Sequence, residues 1–320
     1  MQPVDTSTNA VPPLEVVVVG EALIDIVESA SGTTEHPGGS PANVAYGLGR
    51  LGVATGILTA LGEDARGTAL REHLHRAKVA VIPGSSVLGR TATATVNLGA
   101  DGSASYLFDI DWKLDGAPSL GTPPLIHTGS IATFLEPGAG AVKALLRRHR
   151  PDSLITYDPN IRPALLGNHA QALASFEEIA GLAHLVKLSD EDARWLYPGL
   201  DIAQATRRIL RLGPDLVVVT RGAEGSLLAT EDGSVVVPSV KTTVVDTIGA
   251  GDSYMAALVA MLVAAGSVPT EPGALEELGR TASMAAAITV GRAGANPPRA
   301  EELEMRLARE SARTTGTRRG

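Results

Sequence analysis

Asp246-Thr-Ile-Gly-Ala-Gly-Asp-Ser-Tyr-Met-Ala-Ala-Leu-Val-Ala-Met-Leu262 is the stretch from which the rest of the chain can be read. Before it runs Val235-Val-Val-Pro-Ser-Val-Lys-Thr-Thr-Val-Val245, β-branched and strand-like. After it, Ser253 to Ala265 is an unbroken run of helix formers dominated by Ala, Leu and Met. A strand, a glycine turn and a helix start in succession leave backbone N–H groups pointing outward without partners. They form a site for an anion, favoured further by the positive end of the helix dipole. Gly249 and Gly251 carry no Cβ, so a phosphate can approach the backbone of the Gly249-Ala250-Gly251 turn closely. Asp252 gives the turn its chemistry. A carboxylate inside a phosphate-binding turn repels the ligand, and a pure binding loop avoids it. An enzyme that moves a phosphoryl group onto a hydroxyl uses it as general base, for roughly 10²–10⁴-fold in rate. The turn then holds the charge that builds on the transferred group. Taken alone, the turn also reads as an ordinary helix start, with Asp252 complementing the dipole.

Composition narrows the partners. A chain of 320 residues holds one large domain or two small ones. Hydrophobic residues at 44% and charged residues at 19% mark it as globular. Aromatics are only 3%, so the core must be aliphatic. A formal charge of −8 gives no general attraction for nucleic acid or anionic lipid, so an anionic ligand needs a local site. The absence of cysteine excludes disulfides, thiol catalysis and zinc–thiolate sites, and fits a cytoplasmic protein. Residues 1–13 have neither a basic segment nor a long apolar run, and read as a flexible tail rather than a signal peptide. No stretch is long and apolar enough to span a membrane. Residues 306–320 read as the end of a helix followed by a basic, solvated tail.

Upstream, Glu15-Val-Val-Val-Val-Gly20 suits a strand buried on both faces. Asp25, between Ile24 and Ile26, is either at a rim or facing something polar. In His36-Pro-Gly-Gly-Ser-Pro-Ala-Asn43, Gly38 and Gly39 make a turn, Ser40 caps and Pro41 opens a helix that runs to about Leu51. Gly52 ends that helix, and Asn43 lies early in it, within reach of a ligand at the turn. Gly47-Leu-Gly-Arg-Leu-Gly52 matches the dinucleotide fingerprint, but it falls within and at the end of a helix and is rejected. Ala54–Leu61 and Val79–Ile82 read as strands about a helix at Ala65–Ala77. Ala92–Leu98 and Ala104–Phe108 alternate across Ala100-Asp-Gly-Ser103, a hairpin signal and the start of a separate small sheet. Leu125–Gly129, Leu154–Asp158, Leu185–Leu188 and Asp215–Thr220 are further buried strands, separated by helices at about 138–149, 169–182 and 201–212. Glu276–Val290 and Ala300–Arg313 are helical. Repeating strand–helix units imply a mainly parallel sheet covered by helices on both faces, a three-layer α/β sandwich. In such sheets ligands lie beyond the carboxyl ends of the strands, where Gly20, Gly129, Asp158, Lys187, Thr220 and the Gly249–Asp252 turn converge.

With these elements placed, the chain resembles the ribokinase/PfkB sugar-kinase family over about residues 14–300. Gly38-Gly-Ser-Pro-Ala-Asn-Val-Ala45 and Asp246-Thr-Ile-Gly-Ala-Gly-Asp252 carry the resemblance, in the family's order. It implies a kinase domain over 14–305 with lid strands at about 24–37 and 88–115, and ATP- and Mg2+-dependent phosphorylation of a sugar hydroxyl. Asp252 would be the base and Gly249, Ala250 and Gly251 the anion hole. Asp25, Gly38, Gly39 and Asn43 would hold the sugar. Asp158-Pro-Asn-Ile-Arg-Pro163 resembles a segment of fructokinase-like and 2-keto-3-deoxygluconate-kinase-like members. It adds Asp158 and Asn160 to the sugar site and places Arg162 on the transferring phosphate.

On the nucleotide side the resemblance implicates Lys187, Ser189, Thr220, Gly222 and Gly225. Ser189-x-x-Asp192 stands where many members have Asn-x-x-Glu linked to magnesium. The carboxylate survives one methylene shorter, which leaves an indirect, water-mediated role for Asp192; Ser189 reads equally as a helix N-cap. Asp246 with the carbonyls of Ile248, Thr289, Arg292 and Gly294 matches the family's K+ site, although Pro298 replaces a hydroxyl ligand. Tyr106 and Phe108 would pack on the sugar, in the lid core or on a partner's lid in a homodimer. Acid-sugar kinases carry an arginine after the lid aromatics; Ile110 stands there, which tilts the expectation toward a neutral sugar such as fructose. A 2-keto-3-deoxygluconate kinase, a ribokinase or nucleoside kinase, and a non-catalytic sugar or nucleotide sensor are the alternatives.

Overall fold

Val16–Val19 is four valines with no polar partner face, and a strand of that kind needs cover on both sides. A computed structural model describes residues 13–29, 32–83, 85–98, 104–114 and 120–317. In it Val16–Val19 lies inside a nine-stranded sheet. Leu125–Gly129 and Thr55–Leu58 flank it, both parallel. Leu154–Asp158, Leu185–Ser189 and Leu216–Thr220 continue the parallel order on one side. Ser226–Ala229 and Ser234–Val237 close that edge antiparallel, and Ala80–Val81 forms the other edge.

Alternation along the strands divides the core into two layers. Val16 and Val18 pack with helices Ser40–Arg50, Ala250–Ala265 and Pro272–Val290. Val17 and Val19 face the opposite way, against helices Gly138–His149, His169–Ala180, Asp190–Leu196 and Ile202–Leu210. The aliphatic core expected from the composition is present, with Tyr157 and Phe176 among its largest fully buried members.

A separate four-stranded sheet stands over one end of the molecule. Its order is Gly32–Gly38, Leu23–Ser29, Thr93–Leu98 and Ala104–Asp109. Leu23–Ser29 pairs antiparallel with the first and parallel with the third, which sets Asp25 opposite His36 and Ala94. The tip of the expected Ala100–Ser103 hairpin turn lies outside the described residues, as do residues 1–12 of the expected N-terminal tail.

Several expectations are corrected. Val235–Val245 is not one strand: pairing ends at Val237, because Pro238 has no N–H to continue the ladder. The segment after it is a surface loop, with Val244 64% and Val245 60% exposed. Ala54–Leu61 is two strands, and the second, Ala60–Gly62, leaves the main sheet to pair with Ser86–Leu88. Ser40 does not cap its helix; Gly39 is the N-cap and makes no side-chain bond. The C-terminal segment read as a basic tail is helical through Thr317.

The rejected glycine fingerprint has a packing role. A Cβ on Gly47 would meet that of Ala256 at 2.8 Å, and one on Gly49 would meet the Ala77 carbonyl at 2.2 Å. Glycine there lets helix Ser40–Arg50 lie directly against helix Ala250–Ala265. Gly47→Val should therefore wedge the helices apart and lower stability by roughly 1–3 kcal/mol, the usual cost of overpacking, measured by urea denaturation. An unchanged midpoint would show that the contact tolerates the extra volume.

Candidate active site

The first turn of helix Ala250–Ala265 begins at Gly249, the N-cap, with φ 74°. A Cβ there would lie 2.7 Å from that of Ala295, so the left-handed backbone and the tight contact both call for glycine. Gly251 is open to solvent. Its amide and that of Asp252 have no acceptor within the helix and are free for an anion.

Asp252 is fixed from across the helix interface. Ser40 Oγ donates to its Oδ1 at 2.7 Å and Asn43 Nδ2 donates to its Oδ2 at 2.8 Å. Both donors sit in the first turn of helix Ser40–Arg50, which Gly39, at φ 94°, turns into position against the Glu21 carbonyl. Glu21 is buried at 3% exposure, and its Oε2 accepts the Ala132 amide at 3.1 Å. Burial pushes its carboxyl up to about 8, with Asp252 adding a smaller push in the same direction. Glu21 thus holds the Ser130–Thr133 turn beside the site as a protonated acid at neutral pH.

Asp25 enters from the lid. Gly38 makes room for it: a Cβ on Gly38 would lie 2.0 Å from Asp25 Oδ2. Burial, and next the charge of Asp252, push the Asp25 carboxyl up to about 6, while Arg162 and His36 oppose the rise. A second carboxylate, a guanidinium and an imidazole are therefore all near enough for their charges to act on Asp25.

The comparisons with known proteins agree with this geometry. The model of the pfkB family carbohydrate kinases matches residues 14–302. A fructokinase from Rhizobium leguminosarum bv. trifolii is 35% identical over 76% of this chain and 78% of its own. A fructokinase from Salmonella typhimurium is 32% identical over 87% and 94%. Among solved structures, aminoimidazole riboside kinase from Salmonella enterica, complexed with aminoimidazole riboside and an ATP analog, superposes with a TM-score of 0.77. It is 26% identical over 91% of this chain and 98% of that one. The chain belongs to the pfkB family of carbohydrate kinases.

Not every residue expected from this family resemblance lines the cleft. Asp252, Asn43, Asp25, Gly38, Gly39, Arg162 and Gly249–Gly251 come together, and Arg162 is exposed, its Nη1 donating to the Ile161 carbonyl at 3.0 Å. Asn160 adopts a left-handed φ of 39° beside it. Phe108 is half-buried in the lid's last strand, and the Tyr106 side chain lies outside what is described. Asp158 is corrected: it is buried beneath the cleft, its Oδ2 accepting from Lys187 Nζ at 2.8 Å. Lys187, expected on the nucleotide, is buried with it.

Ser189 is the N-cap of helix Asp190–Leu196, in a reciprocal capping box with Asp192. Asp192 Oδ2 accepts the Ser189 amide and its Oδ1 accepts the Ile161 amide, each at 2.9 Å. That carboxylate is a clip between two loops, which does not fit a direct magnesium ligand. Among the described residues no three His, Cys, Asp or Glu side chains cluster to hold a metal. Thr220 Oγ1 donates to the Leu188 carbonyl at 3.4 Å, and Gly222 and Gly225 have φ of 51° and 89° in the turn that follows.

Asp246 accepts the amides of Ile248 at 3.0 Å and Gly294 at 2.8 Å. The Ile248 amide, and after it that of Gly294, hold its carboxyl below the usual range against the effect of burial. The carbonyls of Thr289 and Gly294 accept the amides of Arg292 and Asn296, and the Arg292 side chain is paired with Glu302. Two of the four carbonyls expected at the K+ loop, those of Thr289 and Gly294, thus each accept one amide within the protein. Among the described residues no helix is long and apolar enough to cross a membrane.

Ser40 and Glu21 were not picked out as site residues from the sequence. A hydroxyl three residues before an asparagine looks like a cap, and only the helix contact reveals its acceptor. Ser40→Ala should lower turnover about tenfold while sugar KM changes little if Asp252 is the base, since it removes one of the two hydrogen bonds that hold Asp252. Equal turnover would reduce Ser40 to a bystander. For Asp25 the folded-state pKa lies above the ordinary value of 3.8, so its ionisation works against folding. That stability is fully present below about pH 4 and is lost as pH rises toward 6. Asp25→Asn should accordingly melt higher than wild type at pH 7.5 and level with it near pH 4, by thermal unfolding at both pH values. A gap of the same size at both would contradict the shift.

Proposed function

We propose that this carbohydrate kinase transfers the γ-phosphoryl group of ATP to a terminal hydroxyl of a small neutral sugar, with fructose first. The observation that carries the reading is a single carboxylate, Asp252, held by two neutral donors beside free helix-start amides. In this reading Asp25 accepts sugar hydroxyls from the lid side, with Gly38 and Gly39 allowing the close fit. The attacking hydroxyl gives its proton to Asp252 as its oxygen bonds to phosphorus, and ADP leaves carrying the bond electrons. The amides of Gly251 and Asp252 receive the charge on the equatorial oxygens, where fixed dipoles need no reorganisation. Arg162, held in the structure on the Ile161 carbonyl, turns toward the same oxygens. Closure of the small sheet excludes water and limits hydrolysis of ATP.

Magnesium would come with the nucleotide's phosphates and supply charge neutralisation there; among the described residues no acidic cluster would ligate it, so Asp192 would act on it only through water. The nucleotide lies beyond Thr220, Gly222 and Gly225. K+ at the Asp246 loop belongs to the proposal as an activator. So do a cytoplasmic location and pairing of two copies through the lid, whose outer strand carries Leu107 at 64% exposure. Fructose is favoured by the two fructokinase relatives and by Ile110 in place of a cation after the lid aromatics.

The test is an ADP-release screen over fructose, ribose, 2-keto-3-deoxygluconate, tagatose 6-phosphate and adenosine, with and without K+. Fructose should give the highest kcat/KM. Asp252→Asn should fold, bind ATP and lose roughly 10²–10⁴-fold in turnover. Preference for another acceptor would overturn the fructose assignment, and an active Asp252→Asn would overturn the base.

A further inference from the structure

One buried charge pair is left over by this mechanism. Lys187 and Asp158 stand on adjacent parallel strands, facing helix Ala250–Ala265, and their side chains are 6% and 2% exposed. Removing two charges from water costs about what their attraction returns, so such a pair is a poor device for stability alone. Neighbouring Val218, on the same face of the next strand, shows that an aliphatic residue fills this layer.

Two observations give the pair a direction. A Cβ placed on Gly251 would lie 3.1 Å from Lys187 Nζ, with no atom of Asp158 within 4 Å of that point. The positive end of the pair therefore faces the underside of the anion turn. Asp158 Oδ1 is buried with no hydrogen-bond partner, so the carboxylate is only half used. A clasp selected for stability alone would satisfy both oxygens. Burial works against the Lys187 ammonium, yet the Asp158 carboxylate outweighs it and the net shift is upward, so it stays charged. The carboxylates of Asp252 and Asp192 support that charge. His127, on the same face, is driven down to about 3 by burial and then by Lys187, so it adds no cation of its own.

We propose that Lys187 is a buried counter-charge for the phosphoryl group held at the Gly249–Asp252 turn, acting from beneath Gly251 through its oriented pair with Asp158. It is a positioning residue: the buried ammonium stands beside Gly251, and the low-dielectric interior carries its field to the turn. Gly251 is glycine on this account for a second reason, since a side chain there would press on Nζ. The inference rests on the kinase reading of the site.

Lys187→Met alone strands a buried carboxylate and tests only folding. The informative variant is Lys187→Met/Asp158→Asn, which removes both charges and keeps the volume. Urea denaturation should give a midpoint close to wild type, with sugar KM within about twofold and kcat down about tenfold or more. A double variant that folds and keeps wild-type kcat overturns the proposal. Asp158→Asn alone provides an arm that needs no sugar turnover, because it leaves the ammonium without its partner carboxylate. A non-hydrolysable ATP analogue, which keeps the γ-phosphoryl group, should then bind several-fold more tightly by calorimetry, and unchanged or weaker binding overturns the proposal even where the double variant does not fold. A wild-type protein inactive on every sugar would overturn the kinase reading, and binding of the ATP analogue would still decide the role of Lys187.

Discussion

A carboxylate placed at the mouth of an anion site repels what the site is built to hold, and it is tolerable only if it is aimed. Here the aim comes from two neutral donors, Ser40 Oγ and Asn43 Nδ2, each taking one oxygen of Asp252. Neutral donors fix the direction without neutralising the charge. Their position depends on the contact between two helices, which can approach closely only because Gly47 carries no side chain. Much of the α-helical packing on that face of the sheet serves this one alignment.

Around Asp252 the protein gathers more acid than it balances. Asp25 and Glu21 are both pushed up by burial and by Asp252, and Asp158 and Asp192 lie just below. Arg162 and His36 answer on the lid side, Lys187 on the sheet side. Stability is spent on this crowding, as is common where a fold holds groups ready for a ligand that is not yet there. Each acid has a different solution: Asp252 is aimed, Glu21 keeps its proton, Asp192 becomes a backbone clip and Asp158 takes a cation.

How far this was legible in the sequence follows from the range of each interaction. Buried parallel strands announce themselves as apolar runs, so Leu125–Gly129 and Leu154–Asp158 were readable to the residue. Gly249-Ala-Gly-Asp252 was readable because the chemistry is local: glycine, helix start and carboxylate are consecutive. Ser40 was misread as a cap, since its true acceptor is 212 residues away in sequence. Val235–Val245 was overread as one strand, because β-branched residues fit an exposed loop as well as a ladder once Pro238 has ended the pairing. Ser189 and Asp192 form a local capping box, but the second bond of Asp192, to Ile161, joins segments that no spacing rule connects. Long-range hydrogen bonds between polar residues leave no periodic trace.

The division of the cleft between helix Ser40–Arg50 and helix Ala250–Ala265 has a consequence for biosynthesis. Val16–Val19 sits in the sheet interior and awaits Leu125–Gly129, synthesised far later, before it is flanked on both sides. A nascent chain emerging from the ribosome therefore carries the lid and the donors long before it carries the base. Any fragment that stops short of the last third lacks Asp252 and the Gly249–Gly251 turn altogether, so the two halves of the cleft meet only when synthesis is nearly complete.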